Sequence, residues 1–362
     1  MLQSKNSRVA AILGVSMLFW APSAKGEQRT FHLDRLEIPG GPDDGVAIIR
    51  PIVQSQPLFF GQISQGFSLN PLRTINVTGD YGTLDRSWSV VVNYQLTSYV
   101  GFGFSFLKRV IVGASMPITE YQYIRNPAYG IQAPFGFPKQ SSSSQTGQSI
   151  GDVRLDARVL VAQTKNQRVS FAVQTSVFVP TGTTVNFGGN GWASVMGLTS
   201  LEVDVGPVAI VANLGVHIRP RITWNDPVHN SGLGIGNEAR AGLGVFVPIG
   251  RQLRLGVSAF GQTGIQKDSV VGNTIFTARN SPLEWMGEAR YSFGGGGRWW
   301  VAATGGSVIL SGYGASDFRS VLQLGASVPL FDVDRIGPNP KPEPIPRDPD
   351  NVDDDSDDDS LD

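Results

Sequence analysis

Apolar side chains occupy every second position through most of the chain between about Pro57 and Phe331, in stretches joined alternately by short turns and long polar loops. In the clearest stretch, the even positions from Trp88 to Phe106 are mostly Val, Leu, Tyr and Phe, and the odd positions are mostly small or polar. Side chains alternate across a strand, so each stretch has one apolar and one polar face. A soluble strand rarely keeps this pattern for close to ~20 residues, whereas a tilted strand that crosses a bilayer does. The pattern predicts an all-β fold, a transmembrane antiparallel up-and-down β-barrel.

About twelve strands are predicted. They lie near 58–70, 88–106, 110–119, 152–164, 168–179, 193–205, 208–220, 236–247, 253–263, 282–293, 298–305 and 318–331. About five tight turns alternate with about six longer loops, a sorting that a soluble two-sheet sandwich has no reason to show. An even number of strands puts both chain ends on one side, and bacterial barrels place their short turns in the periplasm.

Composition supports this class of protein. No internal segment has the roughly 20 continuous apolar residues that a spanning helix needs. A barrel satisfies its backbone hydrogen bonds between strands, so the modest share of hydrophobic residues, 41%, fits. The chain has no Cys, which excludes disulfides and thiolate metal sites.

The chain divides into four predicted parts. Residues 1–26 read as a secretory signal, because Lys5 and Arg8 precede the apolar run Val9–Trp20 and small residues follow up to Gly26. A soluble N-terminal helix is the alternative. Residues 27–56 form a periplasmic lead-in that could tuck partly into the lumen, and residues 57–331 form the barrel. Residues 332–362 form a Pro-rich linker and a disordered acidic tail, with nine Asp in the last fifteen residues.

The alternation predicts that most charged strand residues point into the lumen, because each would be costly facing lipid. They are Asp152, Arg154, Asp156, Arg158, Glu202, Asp204, Arg219, Glu238, Arg240, Arg254, Glu284, Glu288, Arg290 and Arg319. One interpretation is a charged constriction that selects solutes. The other is a set of cross-strand ion pairs that fill a narrow barrel and fix its register.

Catalysis has little support in the sequence. The chain has three histidines, His32, His217 and His229, and His217 falls on a predicted strand, facing inward. A Ser-His-Asp arrangement could include Ser258 or Asp204, but any barrel with many Ser and Asp residues permits this. In outer-membrane phospholipases the catalytic residues face lipid, and no His of this chain is predicted to lie on that face. We therefore predict that the protein is not an enzyme.

The acidic tail is the one candidate for metal binding, and we predict no other cofactor. Its D-x-D spacings suit weak binding of Ca²⁺; the candidate ligands are Asp350, Asp353, Asp355, Asp357 and Asp359. The tail lacks the Gly and the bidentate Glu of a defined calcium loop. Nucleic-acid binding is not predicted, because Lys and Arg are dispersed.

Aromatic residues lie near many predicted strand ends, where they suggest two girdles at the membrane interfaces. They are Trp88, Tyr121, Tyr123, Trp192, Trp224, Trp285, Tyr291, Phe293, Trp299 and Trp300.

Several segments resemble the barrel module of OmpA-family proteins of Gram-negative bacteria. They are FHLDRLEIP, GDVRLDARVLV, SVFVPTGTTVNFGGNG, SPLEWMGEARYSF and SVPLF before the Asp-rich stretch. The resemblance implies an outer-membrane barrel. In that family the module precedes Asp-rich calcium-binding thrombospondin type 3 repeats and a peptidoglycan-binding domain. This sequence has only an acidic remnant after the barrel, so cell-wall anchoring is not carried over.

The resulting functional hypothesis is a barrel in the cell outer membrane, with both termini periplasmic, acting as a narrow passive pore or as a scaffold that presents surface loops. The alternative is an uptake barrel for a small hydrophobic solute, plugged by residues 27–56; a lipid-acting enzyme is a remote third. The expected partners are outer-membrane lipid, the barrel-assembly machinery and a small solute.

Overall fold

The computed structural model describes residues 31–52, 54, 56–78, 85–124, 145–183, 186–226, 231–266, 276, 280–295 and 298–330. The predicted signal segment, Phe331, the linker and the acidic tail lie outside these ranges. Among the described residues, no helix is long and apolar enough to cross a membrane.

The regular elements of the described residues are fifteen β-strands. They are β1 (Leu58–Thr78), β2 (Asp85–Phe106), β3 (Val110–Ile124), β4 (Gln145–Ile150), β5 (Val153–Gln163), β6 (Val169–Val179), β7 (Ser194–Val205), β8 (Val208–Ile218), β9 (Ile222–Asp226), β10 (Ser231–Ile235), β11 (Glu238–Ile249), β12 (Leu253–Gly264), β13 (Leu283–Phe293), β14 (Trp299–Leu310) and β15 (Phe318–Pro329).

These strands form a closed antiparallel barrel of twelve staves. β1 pairs with β2 on one side and with β15 on the other, where Leu58 lies opposite Pro329. β4 and β5 both pair with β3 and together make one stave, interrupted at Gly151 and Asp152. β9 and β10 pair with each other in a separate hairpin between β8 and β11. The predicted twelve-strand up-and-down barrel is confirmed.

Some strands are longer than predicted. β1 and β2 have 21 and 22 residues, whereas a stave needs only about 9–11 to cross the hydrocarbon. The added residues keep pairing beyond the membrane thickness, as do the end of β3 and the polar strand β4, which the sequence placed in a loop. Mostly polar stretches such as Gln145–Ile150 carry no alternation signal, so their pairing was not predicted.

The connections sort by length between the two ends of the barrel. At one end, called the turn end, lie the short connections 107–109, 164–168, 206–207, 250–252 and 294–298, together with the start of β1 and the end of β15. Gly206 has a φ of +63° in its two-residue turn, a conformation that favours glycine. The longer connections lie at the other end, called the loop end.

Burial alternates along the staves as the sequence predicted. On β5, Leu155, Val159 and Val161 are exposed on the outer face, while Arg154 and Arg158 are buried inside. Many outer side chains are aliphatic or aromatic. An outer wall that stays apolar from strand to strand is the surface expected against hydrocarbon.

Aromatic residues on the outer face lie at both ends. Tyr94 stacks on Tyr121 and Tyr123 near the loop end, with ring centroids 5.7 and 5.3 Å apart. Tyr291 stacks on Phe293 at the turn end, and Trp299 is 49% exposed beside them.

Assigning Trp300 to a girdle was wrong. Trp300 is 1% exposed and points inward, where Gly325 leaves room for its indole ring. It follows Trp299 directly, and neighbouring residues of a strand face opposite sides. The side chains of Trp88 and Trp224 lie outside the described residues.

Residues 31–52, called the inner segment, lie inside the barrel along its length. At the loop end, Leu33 belongs to an apolar cluster with Phe187 and Tyr313. At the turn end, Ile48 packs with Ala209 and Phe246. The lead-in was predicted to tuck partly into the lumen or, in the alternative, to plug it, and its described residues extend from one end of the barrel to the other.

Candidate functional site: the filled lumen

The fourteen charged residues predicted to face inward lie on the inner face of the wall. Eleven are buried, namely Asp152, Arg154, Asp156, Arg158, Glu202, Arg219, Glu238, Glu284, Glu288, Arg290 and Arg319. Arg240, Arg254 and Asp204 are partly exposed. Asp204, near the turn end, has no ion pair among the described residues.

Asp34 of the inner segment is bound by the wall near the loop end. Arg319 of β15 donates from Nη1 to Asp34 Oδ1 at 2.6 Å and from Nε to Glu284 Oε2 at 2.8 Å. The hydroxyl of Tyr99 also donates to Asp34. Because each ionised group is paired, the desolvation cost of burying them is offset.

Glu238 of β11 joins three parts of the molecule. It accepts hydrogen bonds from Arg35 Nη2 of the inner segment at 3.1 Å and from Arg219 Nη2 at 2.5 Å. The hydroxyl of Tyr313, from the connection between β14 and β15, also donates to it. The guanidinium of Arg35 lies 4.0 Å from the centre of the Tyr313 ring. This connection therefore caps the inner segment at the loop end.

Asp152 holds a second connection over the lumen. Its carboxylate accepts hydrogen bonds from the backbone N–H groups of Gly182 at 2.9 Å and Asn190 at 2.8 Å. Asn190 in turn accepts a hydrogen bond from the N–H of His32, at 3.1 Å. The interruption between β4 and β5 thus positions a carboxylate that orders the connection between β6 and β7.

Arg154 reaches from β5 to the middle of the inner segment. It donates from Nη1 to Glu37 Oε2 at 2.9 Å, from Nη2 to the carbonyl of Ile38 at 2.6 Å and from Nε to Asp156 Oδ2 at 3.0 Å. Arg240 lies 3.6 Å from the other oxygen of Glu37, a long contact.

The turn-end half of the inner segment contacts wall residues of both signs. Arg158 holds the carboxylate of Asp44 with both terminal nitrogens, at 2.8 and 2.7 Å. Arg50 of the inner segment holds both oxygens of Glu202 of β7, donating from Nε at 2.9 Å and from Nη2 at 2.6 Å. Two-point contacts of this kind combine strength with a defined orientation.

The remaining turn-end contacts involve the backbone of the inner segment. Glu288 accepts from the N–H of Val46 at 2.8 Å and from Arg254 Nη2 at 2.6 Å. Asn213 of β8 accepts from the N–H of Ile49 at 2.9 Å. The wall therefore recognises this stretch through side chains.

Two small cavities, of about 30 and 70 Å³, separate the inner segment from the wall. The larger is lined by Pro39 and Ala47 of the inner segment and by Gln174, Arg240 and Gln262 of the wall. A water molecule needs about 10–15 Å³ of such space, so each cavity has room for a few waters and not for an organic solute.

Sequence reasoning missed the charged residues of the inner segment as partners of the wall. Asp34, Arg35, Glu37, Asp44 and Arg50 supply most of the opposite charges that the lumen residues contact. The sequence did contain a signal for this role. The short lead-in combines charged residues with apolar ones, a mixture more typical of a buried segment than of a linker.

His217 is buried on the inner face and not on the lipid side. Its Nε2 lies 2.9 Å from Ser194 Oγ, and its ring stacks on Phe178 at 4.9 Å. Its Nδ1 has no hydrogen-bond partner among the described residues, so no carboxylate orients the ring as in a catalytic triad. His229 lies outside the described residues.

No group of three or more potential metal ligands occurs within the described ranges. The five tail candidates, Asp350, Asp353, Asp355, Asp357 and Asp359, lie beyond those ranges.

No protein-family model matches the chain, and no curated protein sequence matches it significantly. An outer-membrane channel from Pseudomonas putida F1 has a similar structure, with a TM-score of 0.54 at 11% identity, over 77% of this chain and 98% of that one. A FadL homologue of Pseudomonas aeruginosa matches at a TM-score of 0.39 and 9% identity, over 84% of this chain and 100% of that one. TodX, a monoaromatic hydrocarbon channel, matches at 0.38 and 10%, over 83% and 95%. The match to the Pseudomonas putida channel shows that the chain has the barrel fold of an outer-membrane channel.

Proposed function

We propose that the protein is an outer-membrane channel whose closed state is held by the inner segment. The observation that carries this proposal is that the segment fills the lumen without belonging to the wall. Among the described residues, the one backbone-to-backbone hydrogen bond between the segment and the rest of the chain joins Leu33 to Phe187, in a loop-end connection.

Displacing the segment would leave the barrel intact. The wall closes through its own pairs, β1 with β2 and β1 with β15, and none of these bonds involves residues 31–52. The segment is bound instead by side-chain hydrogen bonds and ion pairs, which water and solute ions can replace. If the protein were only a scaffold, the segment that fills its lumen would not need to be separable from the wall.

The proposed orientation follows from the sorted connections. Bacterial barrels place short turns in the periplasm, so the turn end faces the periplasm and the loop end faces outward. In this orientation the start of β1 and the end of β15 are periplasmic, whereas Phe31 lies near the outer face. Protease added to intact cells should cut the connections at the loop end and spare the exposed turn around Leu107.

The uptake of a small hydrophobic solute is the second candidate. The feature that favours it is the apolar cluster at the loop end, which includes Phe31, Leu33, Leu72, Ile124 and Ile235. A solute would enter there by replacing Phe31 and Leu33. Faster uptake of an apolar tracer into cells that express the protein, compared with cells that do not, would support this function.

The OmpA-family relationship and assembly by the barrel-assembly machinery are parts of the same proposal. They are supported by the resemblance of segments such as GDVRLDARVLV and by the closing strand, whose apolar positions alternate up to the end of β15. Depleting the assembly machinery should then reduce the amount of folded protein in the outer membrane.

A reversible crosslink tests the channel. The natural chain has no Cys, so the double variant Ile48→Cys with Gly244→Cys can form one disulfide, from the inner segment to β11. A Cβ at position 244 would lie 3.4 Å from Ile48 Cγ1, the atom bonded to the Ile48 Cβ, so the two Cβ atoms lie near the ~3.5–4.5 Å separation of a disulfide. We expect the oxidised variant to lose conductance in planar bilayers and the reduced variant to regain it.

The two single-cysteine variants are the controls, and both should conduct like the natural protein under oxidising and reducing conditions. Equal conductance of the oxidised and reduced double variant would show that the segment is not the gate. If the natural protein never conducts, the channel proposal fails and the scaffold function remains.

A further inference from the structure

Three arginines of the wall surround one turn of the inner segment. Arg158 of β5 holds the Asp44 carboxylate, as described above. Arg254 of β12 donates to the backbone carbonyls of Asp43 and Asp44, both at 2.7 Å. Arg290 of β13 donates to the carbonyl of Pro42 and, at 3.3 Å, to that of Asp44. The turn thus presents a group of oxygen atoms to three guanidinium groups.

Two of these arginines would repel each other if no acceptor oxygens lay between them. Arg254 and Arg290 lie directly opposite each other on β12 and β13. Like charges in directly opposed positions destabilise a sheet. Glu288 supplies one carboxylate to Arg254, and the remaining acceptors of the pair come from the turn at Pro42–Asp44. The pair is therefore stable when oxygen atoms lie between its two members.

Aromatic rings hold the two guanidinium groups in place. The Cζ of Arg254 lies 5.1 Å from the centre of the Phe246 ring, and the Cζ of Arg290 lies 4.7 Å from that of Trp300. Both rings belong to the wall, so this support remains when the inner segment moves. Arg254 and Arg290 are therefore oriented by the wall as well as by the turn.

We propose that Arg158, Arg254 and Arg290 form an oxyanion-selecting constriction of the channel, and that the turn at Pro42–Asp44 occupies it in the closed state, with the Asp44 carboxylate on Arg158 as a built-in stand-in for a solute's carboxylate. The inference rests on the proposed channel function and adds its substrate class, small solutes that carry a carboxylate. The described inner segment contains four carboxylates and two guanidinium groups. Its departure removes a net charge of −2 and leaves Arg158, Arg254 and Arg290 without the acceptors of the turn, and such uncompensated guanidinium groups favour anions.

Whether the three arginines bind an oxyanion can be tested without a conductance measurement. In Asp44→Ala, we expect acetate to raise the unfolding temperature in detergent by roughly 2 °C or more, because acetate rebinds Arg158 in the folded state. Sodium chloride at equal ionic strength should not. Adding Arg158→Gln to Asp44→Ala should remove the response to acetate, and Asp204→Ala, which removes an unpaired carboxylate, should show none.

Acetate that stabilises all these variants equally, or none of them, would overturn the site. If Asp44→Ala does not fold in chloride, recovery of its folding yield in acetate is the same test. Inorganic phosphate in place of acetate separates a general oxyanion site from one that prefers carboxylates, because only the latter responds more strongly to acetate.

Selectivity is tested in planar bilayers with Asp44→Asn, in which the segment is held less firmly. We expect its reversal potential in a potassium chloride gradient to show anion preference and succinate to reduce the chloride current. Adding Arg254→Gln and Arg290→Gln should abolish both effects, whereas adding Arg109→Gln, on the exposed turn after β2, should not.

A current without anion preference, or a preference that survives loss of both arginines, would overturn the inference while the channel function stands. If neither the natural protein nor any variant conducts, the channel function fails. The response to acetate then still decides whether the three arginines bind an oxyanion.

Discussion

Arg319 of the closing strand donates a hydrogen bond to Asp34 of the inner segment at 2.6 Å, and each side chain is 2% exposed. The same guanidinium contacts Glu284 of β13. One residue therefore joins the inner segment to two strands of the wall, β13 and β15, which lie on either side of β14. The seat of the inner segment near the loop end depends on the closing strand.

Replacing Asp34 should loosen this seat. Asp34→Asn keeps the shape but removes the charge opposite Arg319, which retains Glu284. We expect a loss of about 1–3 kcal/mol in the free energy of unfolding, measured by denaturant titration in detergent. The control Asp317→Asn alters a partly exposed pair with Arg73 and should cost less than about 1 kcal/mol. Equal losses would show that the buried pair has no special weight.

A methyl group at position 325 should disturb the turn-end core. A Cβ there would overlap Cε2 and Cζ2 of the Trp300 ring, so Gly325→Ala must displace a fully buried indole. We expect a loss of roughly 1–3 kcal/mol in the free energy of unfolding. Gly197→Ala is the matched control, because a Cβ at 197 meets nothing within 4 Å. The two variants should differ clearly in a thermal unfolding experiment.

A charged side chain on the lipid-facing wall at mid-height should destabilise the barrel. Leu322 on β15 is 64% exposed, seven residues from the end of its strand. We expect Leu322→Arg to lower the free energy of unfolding from lipid vesicles by about 2–4 kcal/mol. Leu107, 73% exposed in the turn after β2, provides the control, and Leu107→Arg should cost about 0–1 kcal/mol. Tolerance of Arg at 322 would argue against contact with hydrocarbon.

Periodicity predicted the wall well, because each stave has to separate hydrocarbon from the lumen. The strict alternation on β5 placed Arg154 inside and Leu155 outside without knowledge of any contact. It would also have placed Trp300 inside, had the residue been judged by its position in the strand instead of its residue type.

The side-chain pairs inside the lumen were beyond this reasoning, although residues 27–56 were expected to enter it. The inner segment is irregular, so no period indicates which of its residues meets which wall residue. Pairs such as Arg50 with Glu202 join residues 152 positions apart, and charge alone allows many other pairings. The strand β4 was missed for a related reason, since its polar sequence extends the wall beyond the level where the membrane imposes alternation.

The continuous chain from the inner segment into β1 gives any displacement a direction. The tube has no lateral gap between β1 and β15, and the segment is tethered to β1 at the turn end. Phe31, the described residue farthest from this tether, packs among apolar side chains at the loop end. In the proposed opening the tether fixes one end of the segment, so Phe31 travels farthest and moves toward the turn end.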